Sequence, residues 1–556
     1  MKSKKHRESP EFETIQAAIE GDAEAINQVL SYFQPFIKSE WVSCENDKLL
    51  TRKEMIMRHY IWIFALLLLS MGSLSAEDFG YELQDGKLTI LMYGGYADWK
   101  KNASENDKRA VTEIYIEEGV PVIPNLIFKD LPRVGSVTIP ASVTMIGGAA
   151  FAGCSNLSSV VFAKDSELRT IGKYAFYETA LESVVIPASV TAIRKAAFRY
   201  CYNLSSVIFA GNQKLKEIGE WAFCETSLES VVIPASVTTI GKAAFTECKR
   251  LLSVTFTGDM NLRMIGAGAF SGTRLHSVMI PSSVATIGEG AFRYCRRLTL
   301  VTFGGDNLKA IGEWAFSETA LASFSIPSSV TTIGAGAFAK TPLESVMVPS
   351  SVTAIGGAAF TDCRKLSSVT FAEKSELEKI GAGGFYGTAL SSVELPFSVK
   401  TIGAGSFSHS ALKSVVIPAS VTDIERAAFS QTYLTSVIIP SSVKAIGKEV
   451  FQCCSELTDV TFLSSKAPAR FGENVFENCF SLEAIYVPEG SSSYSGENWV
   501  KYEDLIKRKI MFVSSGSLTA LYNLFSFDEM GGWGVFNPLI FGLFAIISVL
   551  KKIFLG

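Results

Sequence analysis

The sequence predicts an α/β-type solenoid, a right-handed coil carrying short parallel strands on one face, and three observations carry the prediction. Cys154, Cys201, Cys248 and Cys295 stand 47 residues apart each time. Phe recurs at 151, 176, 198, 223, 245, 270, 292, 316, 338, 360, 385, 407, 429, 451 and 476, at spacings of 22, 24 or 25. Between these markers runs a short apolar string, Leu-x-x-Val-x-Ile in its fullest form, as at Leu181, Val184 and Ile186. A chain of 556 residues would otherwise divide into roughly four globular domains at about 150 residues each, and such a period overturns that division.

A period of roughly 20–29 residues is the leucine-rich range. Leu181, Val184 and Ile186 do not obey strict alternation, so the coil must turn after the Leu for all three to point inward. Val190, Ile193, Ala197 and Phe198 then close the coil from the other side. One unit buries little alone, and units stacked at about 4.8 Å share one continuous core. Three residues after each Phe stands Cys (154, 201, 248, 295, 363, 454, 479) or, in most other units, Thr (179, 226, 273, 319, 341, 388, 432). Both are small enough for one buried rung. Thiols two rungs apart, about 10 Å, are beyond a disulfide, whereas Cys454 and Cys479 lie on successive rungs, where a bridge is geometrically allowed.

The string Ile-Pro-x-Ser-Val-Thr-x-Ile-Gly-x-x-Ala-Phe-x-x-Cys-x-x-Leu-x-x-Val, as in Ile233 to Val254, resembles the BspA-like leucine-rich repeat. The likeness extends over about fifteen units, residues 111–488. The run from Asp85 through Trp99 is similar to that family's amino-terminal cap (77–110), and Tyr494 to Ile506 to its closing segment within a cap and linker at 489–530. The resemblance implies a cell-surface or secreted protein whose repeats bind a protein ligand on a host or neighbouring cell. It implies no catalytic residue and no cofactor.

The flanks differ from the repeats. Residues 1–54 form a helical segment in which 10–37 are apolar at helical spacing (Ile15, Ile19, Ala25, Ile26, Leu30), with Gly21-Asp22 as a stop and a new cap. This part is similar to the helix-turn-helix domain of conjugative-transposon regulators, but stops where a recognition helix should follow and offers no Arg/Lys set for a major groove. It reads as a truncated relic or fusion, against which stands a working module: a DNA-binding regulator acting through residues 10–54. Residues 55–76 have the layout of a secretory signal, with basic Arg58, an apolar run from Ile61 to Leu69 and small residues to Ala76. At the other end, 533–550 is uncharged, mostly apolar and followed by Lys551-Lys552, which reads as a transmembrane helix with the carboxyl terminus inside.

Composition excludes several functions. Charged residues make up 19% against about 25% in ordinary globular chains, which excludes bulk disorder. The 51 basic residues nearly cancel the 55 acidic ones, so the chain has no field that seeks polyanions. Four scattered His leave little for a metal site or an imidazole base, and no nucleophile elbow or zinc motif occurs. Gly266-Ala-Gly268 and Gly381-Ala-Gly383 recur at one phase of the repeat with spacing wrong for a phosphate loop, and read as turn glycines. Trp221 and Trp314 share one convex phase and read as surface packing.

The remaining candidate is the strand face. Its outward positions pair Ser183 with Val185, Ser206 with Ile208, Ser230 with Val232, Ser253 with Thr255 and Ser277 with Met279. They form a column of hydroxyls beside a column of branched or thioether groups, almost without charge, on a parallel sheet. A contiguous exposed apolar patch marks an interaction site, although strand propensity multiplied by duplication of the repeat would leave the same residues.

Overall fold

A computed structural model describes residues 80–211 and 214–509. They belong to two compact units, one within residues 1–214 and one within 215–556, and both are parallel β-solenoids.

The first unit opens with a hairpin, Tyr81–Gln84 antiparallel to Lys87–Ile90. Its turn residues Asp85 and Gly86 are both left-handed (φ 51° and 83°), the geometry that suits Asp-Gly to a two-residue hairpin. Helix α1 (Gly95–Asn102) and helix α2 (Glu105–Ala110) follow, and Ser104 and Asp107 cap α2 reciprocally. Trp99 on α1 is buried and meets Tyr81 edge-on at 5.3 Å. This layer covers an apolar edge that the first coil would otherwise expose. Strands Glu113–Ile116, Ser136–Ile139 and Ser159–Phe162 then add in parallel to Lys87–Ile90. The second unit closes with Ala484–Pro488 paired to Ile506–Lys509 and a 3-10 helix at Val500–Leu505. There Trp499 stacks on Phe471 at 3.9 Å, and Tyr502 stands edge-on to Phe476 and accepts a hydrogen bond from its N–H.

Inside each coil the apolar residues lie as their spacing predicts. Leu181, Val184, Ile186, Val190, Ile193, Ala197 and Phe198 are all buried. The Phe rings form a column of nearly parallel, offset rings, with centroids 5.3 Å apart for Phe151 and Phe176 and 5.4 Å for Phe292 and Phe316, inside the favourable range for stacked aromatics.

The α/β class is corrected by the side opposite the longer strands, which among the described repeats carries turns and two-residue strands such as Ala192–Ile193 and Thr286–Ile287 in place of helices. The reason lies two residues before and two after each Phe, where the backbone is left-handed: Tyr174 and Glu178 around Phe176, Gly268 and Gly272 around Phe270, Trp314 and Glu318 around Phe316. This alternation aims every second N–H along the solenoid axis, so Tyr174, Phe176 and Glu178 donate to the carbonyls of Lys195, Ala197 and Arg199 at 2.8–3.0 Å. A left-handed non-glycine residue costs about 1–2 kcal/mol, which hydrogen bonds of about 0.5–1.5 kcal/mol each offset in part. A helix would direct those donors within its own coil and leave the stacking surface without them.

A second correction concerns the strand face, which does not form one sheet. Each strand that follows a Cys rung pairs with the strand before it, as Ser206–Phe209 with Ser183–Ile186, Ser253–Phe256 with Ser230–Ile233, and Leu300–Phe303 with Ser277–Ile280. Among the described residues, strands that follow a Thr rung do not pair with the strand before them. Cys units place Leu six residues after Phe (Phe151 to Leu157), Thr units five (Phe176 to Leu181). Every described strand with the six-residue approach pairs with its predecessor, whereas of those with the five-residue approach Ser414–Val416, after the Ser410 rung, pairs with the strand before it, Ser392–Glu394. On the opposite side the two-residue strands form continuous ladders within each unit.

The Cys/Thr rung does more than fill space. Thr179 and Cys201 both donate to the carbonyl of Phe176, each at 3.0 Å, and Thr273 and Cys295 converge in the same way on Phe270. A buried carbonyl without a partner would cost about 1–3 kcal/mol, so this position requires a small donor. Burial raises the Cys201 thiol to about 11 and the Cys248 thiol to about 12. At neutral pH both are protonated and inert. Cys201 and Cys248 should therefore resist alkylation in the folded chain and label only in denaturant, and a native disulfide joining them in mass spectrometry would contradict the rung geometry.

Among the described residues no helix is long and apolar enough to cross a membrane. The helical segment 1–54, the signal-like segment 55–76 and the membrane-helix expectation at 533–550 all lie outside the described residues.

Candidate ligand-binding face

Each outward side chain on the longer-strand side follows from a four-residue strand whose second and fourth residues enter the core. In Ser183–Ile186, Val184 and Ile186 are buried while Ser183 and Val185 face out. The same holds at Ser230 and Val232 and at Ser277 and Met279. In the strands Ser206–Phe209 and Ser253–Phe256 the final Phe is half-buried, and Ser253, Thr255 and Ile208 remain exposed. Ser206 is the exception, since its strand half-buries it.

Register aligns these residues across each pair: Ser206 lies beside Ser183 and Ile208 beside Val185, Val232 beside Thr255, Met279 beside Thr302. The column is therefore aliphatic in patches. In the first unit Val161, Val185 and Ile208 expose 53%, 50% and 55% of their surface. In the second, Met279 and Met347 alternate with Thr302 and Thr370 across their pairs. Leu300, exposed, stands where neighbouring strands carry Ser. Val161 and Leu300 were not singled out in the sequence, although their repeat phase marks both. Charge stands toward the two ends of the column, with Glu113 beside Ser136 in the first coils and Glu394 beside Val416 and Asp459 beside Ser436 in the later ones.

The features opposite the longer strands have structural roles. A Cβ on Gly266 would lie 2.5 Å from the carbonyl oxygen of Ile240, and Gly268 is left-handed at φ 63°, so the first permits close coils and the second the turn. The Arg293 guanidinium lies 5.0 Å from the Trp314 ring, a cation–π contact on the outer surface. Among the described residues no group of three or more His, Cys, Asp or Glu is placed to hold a metal ion.

The architecture has relatives. Overlapping matches to the family model described as "BspA type Leucine rich repeat region" run from residue 121 to residue 499, and residues 12–47 match a model described as "Helix-turn-helix domain". No curated protein sequence is detectably similar to the chain. A leucine-rich repeat protein from Bacteroides ovatus is 23% identical over 78% of this chain and 98% of its own, with a TM-score of 0.46. A leucine-rich cell surface protein from Faecalibacterium prausnitzii is 24% identical over 75% and 96%, with a TM-score of 0.32. At such scores neither likeness adds to what the coils themselves display. The assignment rests on the family model, which spans most of the chain, and on a geometry that repeats the same buried Leu, Val, Ile and Phe in coil after coil: the protein belongs to the BspA-type leucine-rich repeat family.

Proposed function

We propose that the protein is a non-enzymatic binding protein of the cell surface, which recognises a protein ligand on a host or neighbouring cell through the strand face. The observation that carries this reading is the exposed, nearly uncharged aliphatic and hydroxyl column on a scaffold whose coils are stapled by hydrogen bonds and stacked rings. Such a surface offers a partner apolar area at little cost in side-chain ordering, because branched residues on a strand are already stiff. Export through residues 55–76 and retention by residues 533–550 complete the reading.

Protease added to intact cells should digest the repeats, and removal of residues 533–556 should release them into the medium. Full protection of the repeats in cells whose protease is demonstrably active would reject the surface assignment. The match at residues 12–47 favours a second reading, a DNA-binding regulator carried on a repeat scaffold. That reading requires the full chain inside the cell and a DNA affinity that falls steeply with salt.

A further inference from the structure

We propose that Cys454 and Cys479 are a latent disulfide, formed when the chain meets a disulfide oxidant, which ties the last coils of the solenoid to its closing cap. Along the column of rung residues each Cys is otherwise followed by Thr, as Cys201 by Thr226 and Cys295 by Thr319. Only Cys454 and Cys479 succeed one another. Where Thr precedes Cys, the hydroxyl and the thiol of successive rungs stand 3.2 Å apart, as for Thr273 with Cys295 and Thr432 with Cys454. Cys454 and Cys479 set sulfur beside sulfur on successive rungs of the same column. Cys454 donates to the Phe429 carbonyl at 3.1 Å and Cys479 to the Phe451 carbonyl at 3.0 Å. The two thiols are unbridged, and each shifts the titration of the other. Successive rungs at about 4.8 Å fall inside the Cα separation of about 4.4–6.8 Å that a disulfide tolerates.

The chemistry is thiol–disulfide exchange with a low-molecular-weight disulfide such as oxidised glutathione. One cysteine thiolate displaces a glutathione thiolate and forms a mixed disulfide, and the second cysteine thiolate then displaces the other glutathione. The two cysteines lose two electrons and two protons, and one oxidised glutathione becomes two reduced ones. The neighbouring Cys479 S–H lowers the Cys454 thiol below its ordinary value, which favours Cys454 as the first attacker, while Cys479 still keeps its proton.

The position gives the bond its effect. A solenoid stacks each coil only against its neighbours, so the terminal coil is the weakest. Cys479 sits three residues beyond Phe476, on whose ring Tyr502 of the cap rests. A bond from Cys479 back to Cys454 would hold that coil when the cap opens.

The test uses the full chain, refolded from denaturant in reduced plus oxidised glutathione so that access to the buried pair does not limit the reaction. Digestion with trypsin without reductant should yield peptides 449–466 and 471–501 joined. Cys453 is half-buried and shares the first peptide, so Cys453→Ser should keep the cross-link, while Cys454→Ser and Cys479→Ser should each abolish it. Ser suits the site, since Ser410 at the same phase donates to the Phe407 carbonyl at 2.6 Å. Amide exchange over residues 471–505 should be about tenfold slower or more in the oxidised form than in the reduced form. Fully reduced peptides after refolding, a cross-link that disappears in Cys453→Ser, or equal exchange in the two forms would each overturn the proposal.

Discussion

Phe292→Ala should lose about 3–5 kcal/mol of stability, the range for removing a buried Phe ring. Phe292 is fully buried between Phe270, 5.5 Å away, and Phe316, 5.4 Å away, with planes within 8° and 2° of parallel. Each stacked pair adds about 0.5–1.5 kcal/mol beyond the area it buries, and the substitution removes two pairs. The loss reaches further than one coil, because a solenoid is held by nearest-neighbour interfaces and a hole in mid-array weakens both adjoining ones. Denaturant unfolding should show a lower midpoint and a broader transition. Phe480→Ala, at a position that is 84% exposed, should leave the midpoint close to that of the parent. Superimposable curves for Phe292→Ala and the parent would show that the Phe column is not the core.

The largest functional effect is expected from Val161→Lys, Val185→Lys and Ile208→Lys combined. These side chains face solvent from neighbouring coils of the first unit, so the fold should survive, with a small cost where the new ammonium groups at positions 185 and 208 would stand side by side in register. Against an apolar partner three unpaired ammonium groups would have to be desolvated, at several kcal/mol in total, enough to abolish detectable binding. The partner is sought by pull-down from matrix and cell-surface fractions with the parent protein. Control substitutions belong at exposed turn positions such as Asn156, Glu178 and Asn203. Ala196 is unsuitable although it lies on the side opposite the longer strands, because it is fully buried. Undiminished binding by the triple variant would remove the strand face as the site and direct the search to the turns or to the cap around Trp99.

Most of the core was legible from the sequence. Leu181, Val184, Ile186 and Phe198 recur at a period that has one physical meaning, a coil whose apolar residues reach burial only by stacking, so inward and outward positions follow directly. The outward Ser183, Val185, Val232 and Met279 were legible for the same reason. The Cys/Thr rung was legible as a buried small position, but its requirement for a donor was not. That requirement comes from a buried Phe carbonyl, of the same coil for Thr and of the preceding coil for Cys, which no linear spacing displays.

The sequence by itself therefore determined the family, the coil and the identity of its buried and exposed residues, because repetition multiplies a weak local pattern into an unambiguous one. Only the tertiary structure decided how the coils are joined. Left-handed residues such as Tyr174, Ala196 and Trp314 look like ordinary helix-compatible side chains in a list, and nothing local favours their conformation. It is selected by N–H groups that find their acceptors one coil away. The pairing of the strands is likewise decided only when the next coil is laid beside it: the six-residue approach from Phe to Leu always accompanies pairing, while Ser414–Val416 pairs although Leu412 follows Phe407 by five.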